Sequence, residues 1–276
     1  MSFLDDLNAS VHTACAMPRV RFEVGLGEAA ESWIRKKHAD GAVHEPATIA
    51  AFLAVARHYP KTKAVFDIGA SWGYFSLLSV MLFEEAEVTA FEMHPIIFKA
   101  LVPNVAPSVR CEAAVVSDVA DEKVRFWISG FNIYEEPPGG WDDLGSIPGA
   151  MKMRGENSRG SGFWLSDFIT VDGYCARHDV APGLIKIDVE GYQAKAIKGA
   201  LETIRTHKPI VILELHDPEK LERFGTTNKD TVAPLLEAGY EGYWCGDHRS
   251  PKAVFERVEE MEARHEKLSI MVLVPT

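Results

Sequence analysis

Hydrophobic and polar positions follow a regular order from Ala64 to about residue 215. Short apolar runs that are typical of buried strands alternate with stretches of helical spacing. The elements predicted here are strand 64–68, helix about 73–83, strand 87–91, helix about 95–104, strand 109–115, strand 183–188, helix about 192–204 and strand 209–215. Such alternation indicates an α/β fold with a parallel sheet and helices on both faces.

The segment before this alternation reads mostly as helix. No strand pattern of any strength precedes Ala64, and residues 46–56 are apolar along one helical face. The residues on that face are Ile49, Phe52, Leu53 and Ala56. We therefore predict an N-terminal helical extension over residues 1–60 and a sheet domain over residues 61–276.

The C-terminal segment departs from the regular alternation of strands and helices. Residues 238–245 read as a strand, a charged helix is predicted at about 252–266, and residues 268–274 read as a final strand. Two further strands, the last one at the end of the chain, would complete a seven-stranded sheet.

One connection has an unusual composition. Residues 130–162 hold eight glycines and three prolines. Long connections without secondary structure are usually functional or disordered. Two interpretations stay open, a surface insertion or a lid over an acceptor. The Trp, Tyr and Arg content of the segment favours a lid. The side chains that could stack on a sugar ring are Phe131, Tyr134, Trp141 and Trp164, and those that could hold a carboxylate or phosphate are Arg154 and Arg159.

The net charge of the chain limits the classes of partner that it is expected to bind. The formal net charge is −11. Because binding to nucleic acid or to an anionic membrane needs basic surface, we expect neither as the main partner. No apolar run approaches the roughly 20 residues that span a bilayer, and the acidic start lacks the bases of a signal peptide. These features predict a cytoplasmic protein without membrane insertion. Oligomerisation stays possible.

The four cysteines fit that expectation. Cys15, Cys111, Cys175 and Cys245 are far apart and form no C-x-x-C pair. Their spacing suits neither a zinc site nor a dense disulfide framework, so we expect reduced thiols.

The most informative segment is the turn after the first predicted strand. Residues 67–73 read Asp-Ile-Gly-Ala-Ser-Trp-Gly and lead into an apolar helix, so bare backbone N–H groups would face a ligand. The turn could hold the amino-acid end of S-adenosylmethionine. It also matches the G-x-S-x-G pattern of a hydrolase nucleophile elbow around Ser71.

Acidic residues fall at or just beyond four predicted strand ends. They are Asp67, Glu92, the pair Asp188 and Glu190, and Glu214. Ligands of open parallel sheets bind outside the carboxyl ends of the strands, so these carboxylates should converge on one crevice. Glu92 lies 25 residues beyond Asp67 (92 − 67), near the spacing at which an acid accepts hydrogen bonds from ribose hydroxyls.

Phosphate-binding motifs are missing from the chain. Neither G-x-G-x-x-G nor G-x-x-x-x-G-K-[ST] occurs. An acid before the glycine turn disfavours a pyrophosphate and suits a cation. The sulfonium and ammonium of S-adenosylmethionine fit such a crevice electrostatically.

Several motifs in a fixed order resemble one family. The segments are Val65–Ser76, Ala90–Pro95, Leu184–Gly191, Ala196–Ala200 and Ile212–His216, with His44–Pro46 upstream. Together they are similar to the FkbM family of methyltransferases. The run Lys-Ile-Asp-Val-Glu-Gly at 186–191 is the strongest discriminator. Ser71 and Trp72 depart from the family, which often has Asn and a small or aliphatic residue there.

This resemblance implies a Rossmann-like, mostly parallel seven-stranded sheet with an antiparallel last strand. It also implies an S-adenosylmethionine-dependent O-methyltransferase that acts on a hydroxyl of a small molecule, such as a sugar, a glycan or another natural product. The implied cofactor-binding residues are Glu45, Asp67, Gly69, Ala70, Ser71, Gly73, Glu92, Met93, Ser117, Asp118 and Asp188. Asp188 and Glu190 would lie near the transferred methyl group.

An alcohol is hardly ionised at neutral pH, so methyl transfer to it needs a base or a metal ion. His216, beyond a strand end, is the preferred base, although it could instead be a loop histidine paired with Asp217. Asp188 could assist or bind the ammonium of the cofactor. If a metal is used, Asp188, Glu214 and His216, with Glu190 nearby, offer ligands for Mg²⁺ or Mn²⁺.

Two other classes stay open. Ser71, Asp188 and His216 occur in the chain order of an α/β-hydrolase. Against an esterase, no strand precedes Ala64, no oxyanion segment of the H-G-G type lies upstream, and Asp67 has the wrong sign beside an oxyanion. The third class is a non-catalytic S-adenosylmethionine-binding protein on the same fold.

Overall fold

The computed structural model describes residues 1–16, 44–129, 132–135 and 161–276. Its strands are β1 (Ala64–Ile68), β2 (Glu87–Phe91), β3 (Arg110–Glu112), β4 (Ala114–Val116), β5 (Asp121–Ser129), β6 (Asn132–Tyr134), β7 (Ser161–Ile169), β8 (Leu184–Ile187), β9 (Ile210–Leu215), β10 (Tyr240–Cys245), β11 (Glu256–Val258) and β12 (Ser269–Pro275). Its helices are α1 (Phe3–Cys15), α2 (Pro46–His58), α3 (Tyr74–Leu82), α4 (Pro95–Val105), α5 (Val171–His178), α6 (Gln193–Lys198), α7 (Leu201–His207), α8 (Pro218–Glu222) and α9 (Asn228–Glu237), with a 3₁₀ turn at Ala263–His265.

The main sheet has the order β11-β10-β12-β9-β8-β1-β2-β3. Strands β9, β8, β1, β2 and β3 pair in parallel, and β12 is antiparallel to both of its neighbours. The central strands β1, β8 and β9 are buried along their whole length, because helices cover both faces of the sheet. The predicted Rossmann-like α/β class and antiparallel last strand are confirmed.

The eighth strand lies where a helix was predicted. In place of a charged helix at 252–266, the chain forms β11 at the sheet edge and then the 3₁₀ turn. Antiparallel pairing with β10 holds β11 in the sheet, and Asn8 of α1 fixes the residue before it, because its side chain accepts from the Phe255 N–H at 2.7 Å and donates to the Phe255 carbonyl at 3.1 Å. These bonds hold the backbone in an extended form that charge patterning alone does not reveal.

Two other predicted elements are divided in the structure. Strand 109–115 becomes β3 in the main sheet and β4 in a second sheet of order β4-β7-β5-β6. Helix 192–204 becomes α6 and α7, which meet at Gly199. A Cβ atom at Gly199 would lie 1.9 Å from the Ser117 carbonyl oxygen, so this close approach requires glycine.

The second sheet incorporates both edges of the predicted 130–162 insertion. Strand β6 contains Tyr134, and β7 begins at Ser161 and contains Trp164. Phe131, Trp141, Arg154 and Arg159 lie outside the described residues, so the lid interpretation stays a prediction.

Helices α1 and α2 pack on the same core as the main sheet. Leu7, Val11 and Ala14 of α1 are buried in one cluster with α2, β1 and β12. Ser2 and Asp5 form a capping box that begins α1. Within residues 1–60, α1 and α2 agree with the predicted helical character, whereas residues 17–43 lie outside the described part. The boundary between extension and sheet domain stays a prediction.

No helix among the described residues is long and apolar enough to cross a bilayer. All four cysteines are free, in agreement with the expectation of reduced thiols.

Candidate active site

A cavity of about 580 Å³ opens at the carboxyl ends of β1, β2, β8 and β9. The start of α2 and strand β4 of the second sheet complete its walls. Its volume lies within the range of small-molecule sites. Ten of the predicted site or metal residues line it: Glu45, Gly69, Ala70, Ser71, Glu92, Met93, Asp188, Glu190, Glu214 and His216.

Backbone geometry shapes the glycine turn after β1. Gly69 has φ +77°, and a Cβ atom there would lie 1.7 Å from the Asp188 carbonyl oxygen, so only glycine fits. The N–H groups of Gly69 and Ala70 both donate to the Phe91 carbonyl, at 2.9 and 3.1 Å. The turn is thereby fastened to the ends of β2 and β8.

Gly73 does not line the cavity but packs behind its wall. It begins α3 with φ +91°, and a Cβ atom there would lie 2.3 Å from a Val105 methyl and 2.9 Å from a Leu101 methyl. It lets α3 and α4 pack closely, and its contact with a cofactor stays a prediction.

Glu92 joins the glycine turn to the end of β2. One carboxylate oxygen accepts from the Ser71 N–H at 2.9 Å and the other from the His94 N–H at 2.7 Å. Burial raises the pKa of Glu92 to about 7, although those two hydrogen bonds and Lys186 oppose the shift. Each oxygen keeps a second lone pair for a ligand hydroxyl group.

Asp67 lies beneath the cavity rather than in its wall. It is fully buried, accepts from the Ser76 hydroxyl at 2.6 Å and faces the Lys186 ammonium at 3.4 Å. In this structure it supports Lys186, and a direct contact with the cofactor stays a prediction.

Ser117 and Asp118 also lie behind the wall. The Ser117 hydroxyl shares a hydrogen bond with the Tyr192 hydroxyl at 3.1 Å, and Asp118 pairs with Lys198 at 2.7 Å. Tyr192 itself lines the cavity. Ser117 therefore reaches the cavity through Tyr192, and its predicted contact with the cofactor stays a prediction.

Sequence reasoning assigned no role to Lys186, yet its ammonium group links the two sides of the cavity. The Lys186 Nζ donates to the Gly69 carbonyl at 3.2 Å and lies 3.4 Å from Asp67 and 3.6 Å from Asp188. Burial would lower the pKa of Lys186, but Asp67, Asp188, Glu45 and Glu214 raise it well above its ordinary value. The available signal was one charged residue inside the apolar strand Leu184–Ile187.

His216 lies between two carboxylates. Its Nε2 is 3.7 Å from Asp188 and 3.6 Å from Glu190, which also pairs with Lys220. Burial lowers the pKa of His216, although Asp188 and Glu190 oppose the shift, so the neutral imidazole is the main form at pH 7. Asp217 instead accepts from the Leu268 N–H at 3.1 Å.

Glu214, Glu45 and Asp188 crowd the base of the cavity. Burial and the charges of Asp188 and Glu45 raise the pKa of Glu214 well above its ordinary value. Burial would raise the pKa of Asp188 too, but Lys186, His216 and a hydrogen bond with Glu214 lower it. Burial also opposes the lowered pKa of Glu45, which results from His44, His248 and Lys186. The lowered pKa values keep Asp188 and Glu45 ionised at neutral pH.

Two groups of three residues have the spacing of metal ligands. One is the predicted set Asp188, Glu214 and His216, and the other is Glu45, Glu214 and His248. In each group the candidate ligand atoms lie within 4.8 Å of one another. His248 and Arg249, which follow β10, were not identified from the sequence because no motif marks them.

The family comparison agrees with this geometry. A model described as the Methyltransferase FkbM domain matches residues 67–241. The matched segment contains the glycine turn, Glu92 and the acids after β8 and in β9. No curated protein matches the chain.

Solved structures of methyltransferases are also similar, at low identity. Methyltransferase FkbM from Methylobacillus flagellatus KT is 14% identical with a TM-score of 0.43, over 88% of this chain and 59% of that one. A TehB-like SAM-dependent methyltransferase from Corynebacterium glutamicum is 13% identical with a TM-score of 0.43, over 90% and 96%. The sugar N-methyltransferase KedS8 from Streptoalloteichus is 10% identical with a TM-score of 0.42, over 94% and 97%. This chain thus spans about 59% of the length of the FkbM structure.

Proposed function

We propose, on the premise that this chain belongs to the FkbM methyltransferase family, that it transfers a methyl group from S-adenosylmethionine to a hydroxyl oxygen. The proposed acceptor is a small molecule, such as a sugar, a glycan or another natural product. When bound, the cofactor supplies a methyl group activated on a sulfonium. The residues of the chain have to bind it, orient the acceptor and receive a proton.

The observation that carries this proposal is the acid-lined cavity joined to the glycine turn. Glu92 is held by the Ser71 and His94 N–H groups and keeps acceptor capacity on both oxygens, which suits a ribose diol. Asp188 supplies a second carboxylate in the same cavity. Since S-adenosylmethionine carries a positively charged ammonium and sulfonium, these two carboxylates fit the cofactor.

His216 is the proposed general base. It lines the cavity as a buried, neutral imidazole and lies between Asp188 and Glu190. A proton taken from an acceptor hydroxyl would produce an imidazolium, and the two carboxylates would stabilise that charge. Asp188 and Glu190 would thus support His216 electrostatically.

The structure offers less support for the esterase alternative. Among the described residues no hydrogen bond joins Ser71 to His216, and Ser71 contributes its N–H to Glu92. An oxyanion that formed near Ser71 would face Glu92 and Asp188, which carry the wrong charge when ionised. Ser71 is therefore proposed as part of the cofactor wall.

Calorimetric titration with S-adenosylmethionine tests the cofactor site. We expect binding to the wild-type protein and at least tenfold weaker binding to Glu92→Gln, which keeps the side-chain size but loses the charge. Glu122→Gln, on the exposed part of β5, is the matched control. No binding at millimolar cofactor would overturn the proposal.

Mass spectrometry of hydroxylated acceptors incubated with enzyme and cofactor tests the reaction. The expected product carries one additional methyl group. Binding without turnover on any acceptor would favour the non-catalytic class. Ester hydrolysis that is lost in Ser71→Ala would favour the esterase.

A further inference from the structure

The second group of possible metal ligands joins three distant parts of the chain. Glu45 immediately precedes α2, Glu214 lies in β9, and His248 follows β10. All three are at least nine-tenths buried, and their candidate ligand atoms lie within 4.8 Å of one another. The Ala47 N–H donates to the His248 carbonyl at 3.1 Å, which fixes the histidine segment against α2.

An unsatisfied nitrogen points into this group. His248 is only 2% exposed, and its Nε2 has no hydrogen-bond partner. That atom lies 3.5 Å from a Glu214 carboxylate oxygen. A buried polar atom without a hydrogen-bond partner lowers the stability of the folded state. A ligand bound to His248 Nε2 would remove that cost. Imidazole nitrogen is the commonest protein ligand for transition metals.

The surrounding charges favour a cation. Asp67, Asp188, Glu45 and Glu214 surround a single fully buried ammonium, that of Lys186. Arg249 neutralises these carboxylates only in part. Its guanidinium lies 3.4 Å from Glu214 and 3.8 Å from Glu45, but its side chain is half-exposed to solvent. Its guanidinium can move towards solvent when a smaller, more highly charged ion enters.

We propose that Glu45, Glu214 and His248 bind one divalent transition-metal ion, with water in the remaining coordination positions. Two carboxylates and one imidazole suit Mn²⁺ or Zn²⁺ better than Mg²⁺ or Ca²⁺, which prefer oxygen ligands alone. This site shares only Glu214 with the predicted Asp188–Glu214–His216 set. It assigns Glu45 to a cation, whereas the family resemblance assigned it to the cofactor.

The ion would also join α2, β9 and the segment after β10. Because these three segments meet only in the folded chain, binding should stabilise the folded state. The expected shift in Tm is about 5 °C at a hundredfold excess of ion over Kd. This readout needs neither cofactor nor acceptor, so it stays separate from the proposed methyl transfer.

The test is calorimetric titration of chelator-treated protein with MnCl₂ and with ZnCl₂ in a buffer that does not bind metal. Wild-type protein should bind one ion, and His248→Gln should weaken binding by at least tenfold and abolish the Tm shift. Glu45→Gln provides a second ligand variant in case His248→Gln folds poorly. His265→Gln removes another buried imidazole and should bind like wild type.

A His216→Gln variant separates the two groups of ligands. If the proposed site is correct, this variant should keep its affinity for Mn²⁺ within about twofold. Loss of the ion in His216→Gln with retention in His248→Gln would overturn the proposal in favour of the other set. Absence of binding to wild-type protein at millimolar Mn²⁺ and Zn²⁺ would overturn it outright.

Discussion

The two ends of the cavity hold their carboxylates in different ways. At the end of β2, each oxygen of Glu92 accepts a backbone N–H, so the main chain determines where the charge lies. At the ends of β8 and β9, Asp188 and Glu214 lie among side-chain charges separated by 3.4–3.7 Å. The first arrangement is preorganised, whereas the second depends on which protons and cations are present.

Lys186 connects the two ends, so Lys186→Met should have the largest effect on folding. Removal of the ammonium leaves Asp67 as a fully buried carboxylate without a cationic partner and takes one neighbouring cation away from Asp188. The expected loss in the free energy of unfolding is about 3–5 kcal/mol, measured by urea denaturation.

The exposed pair Lys63–Glu85 gives the matched control. Lys63→Met should leave the free energy of unfolding close to that of the wild type. Addition of Asp67→Asn to Lys186→Met should recover part of the loss. A Lys186→Met protein as stable as the wild type would contradict the role of Lys186 as a link.

Gly69→Ala should distort the glycine turn at the preorganised end of the cavity, where Glu92 lies. The added Cβ atom would lie 1.7 Å from the Asp188 carbonyl at a positive φ, so both a clash and backbone strain result. We expect a loss of about 3 kcal/mol in the free energy of unfolding, together with loss of cofactor binding. Gly225→Ala, at φ +64° with nothing within 4 Å, isolates the strain and should cost only about 1–2 kcal/mol.

His216→Gln tests the charge-dependent end. Loss of the base should lower kcat about 100-fold, while the Kd of S-adenosylmethionine changes less than twofold. Since burial places the pKa of His216 below its ordinary value, wild-type kcat should fall only on the acidic side of neutrality, where the imidazole becomes protonated. An unchanged kcat in the variant would remove His216 from catalysis.

The smallest expected effect is the pH dependence of cofactor binding. With the pKa of Glu92 at about 7, the ionised form that accepts ribose hydroxyl groups increases as pH rises. The Kd should therefore decrease about tenfold between pH 6 and pH 8, as measured by calorimetry. Glu92→Gln should lose this dependence, and a variant that keeps it would assign the titration to another group.

The sequence predicted the acidic part of the cavity wall, because parallel strands share one functional edge. Glu92, Asp188, Glu190, Glu214 and His216 all follow or end such strands, and the structure brings them to one cavity. The same reasoning did not distinguish residues in the wall from residues behind it. Ser117 and Gly73, for example, act through Tyr192 and through the packing of α3 on α4.

Local pattern therefore determined the α/β alternation, the glycine turn and the acids at the strand ends, because each depends on neighbours close in the chain. Only the tertiary structure determined that Lys186 reaches Gly69, that Asn8 binds the backbone of Phe255, and that Glu45 lies beside His248. These contacts join residues that are 117 to 247 positions apart in the chain, from Lys186 and Gly69 (186 − 69) to Phe255 and Asn8 (255 − 8). Hydrophobic periodicity reports which face of an element is buried, but the choice of partner across that distance depends on packing of the whole fold.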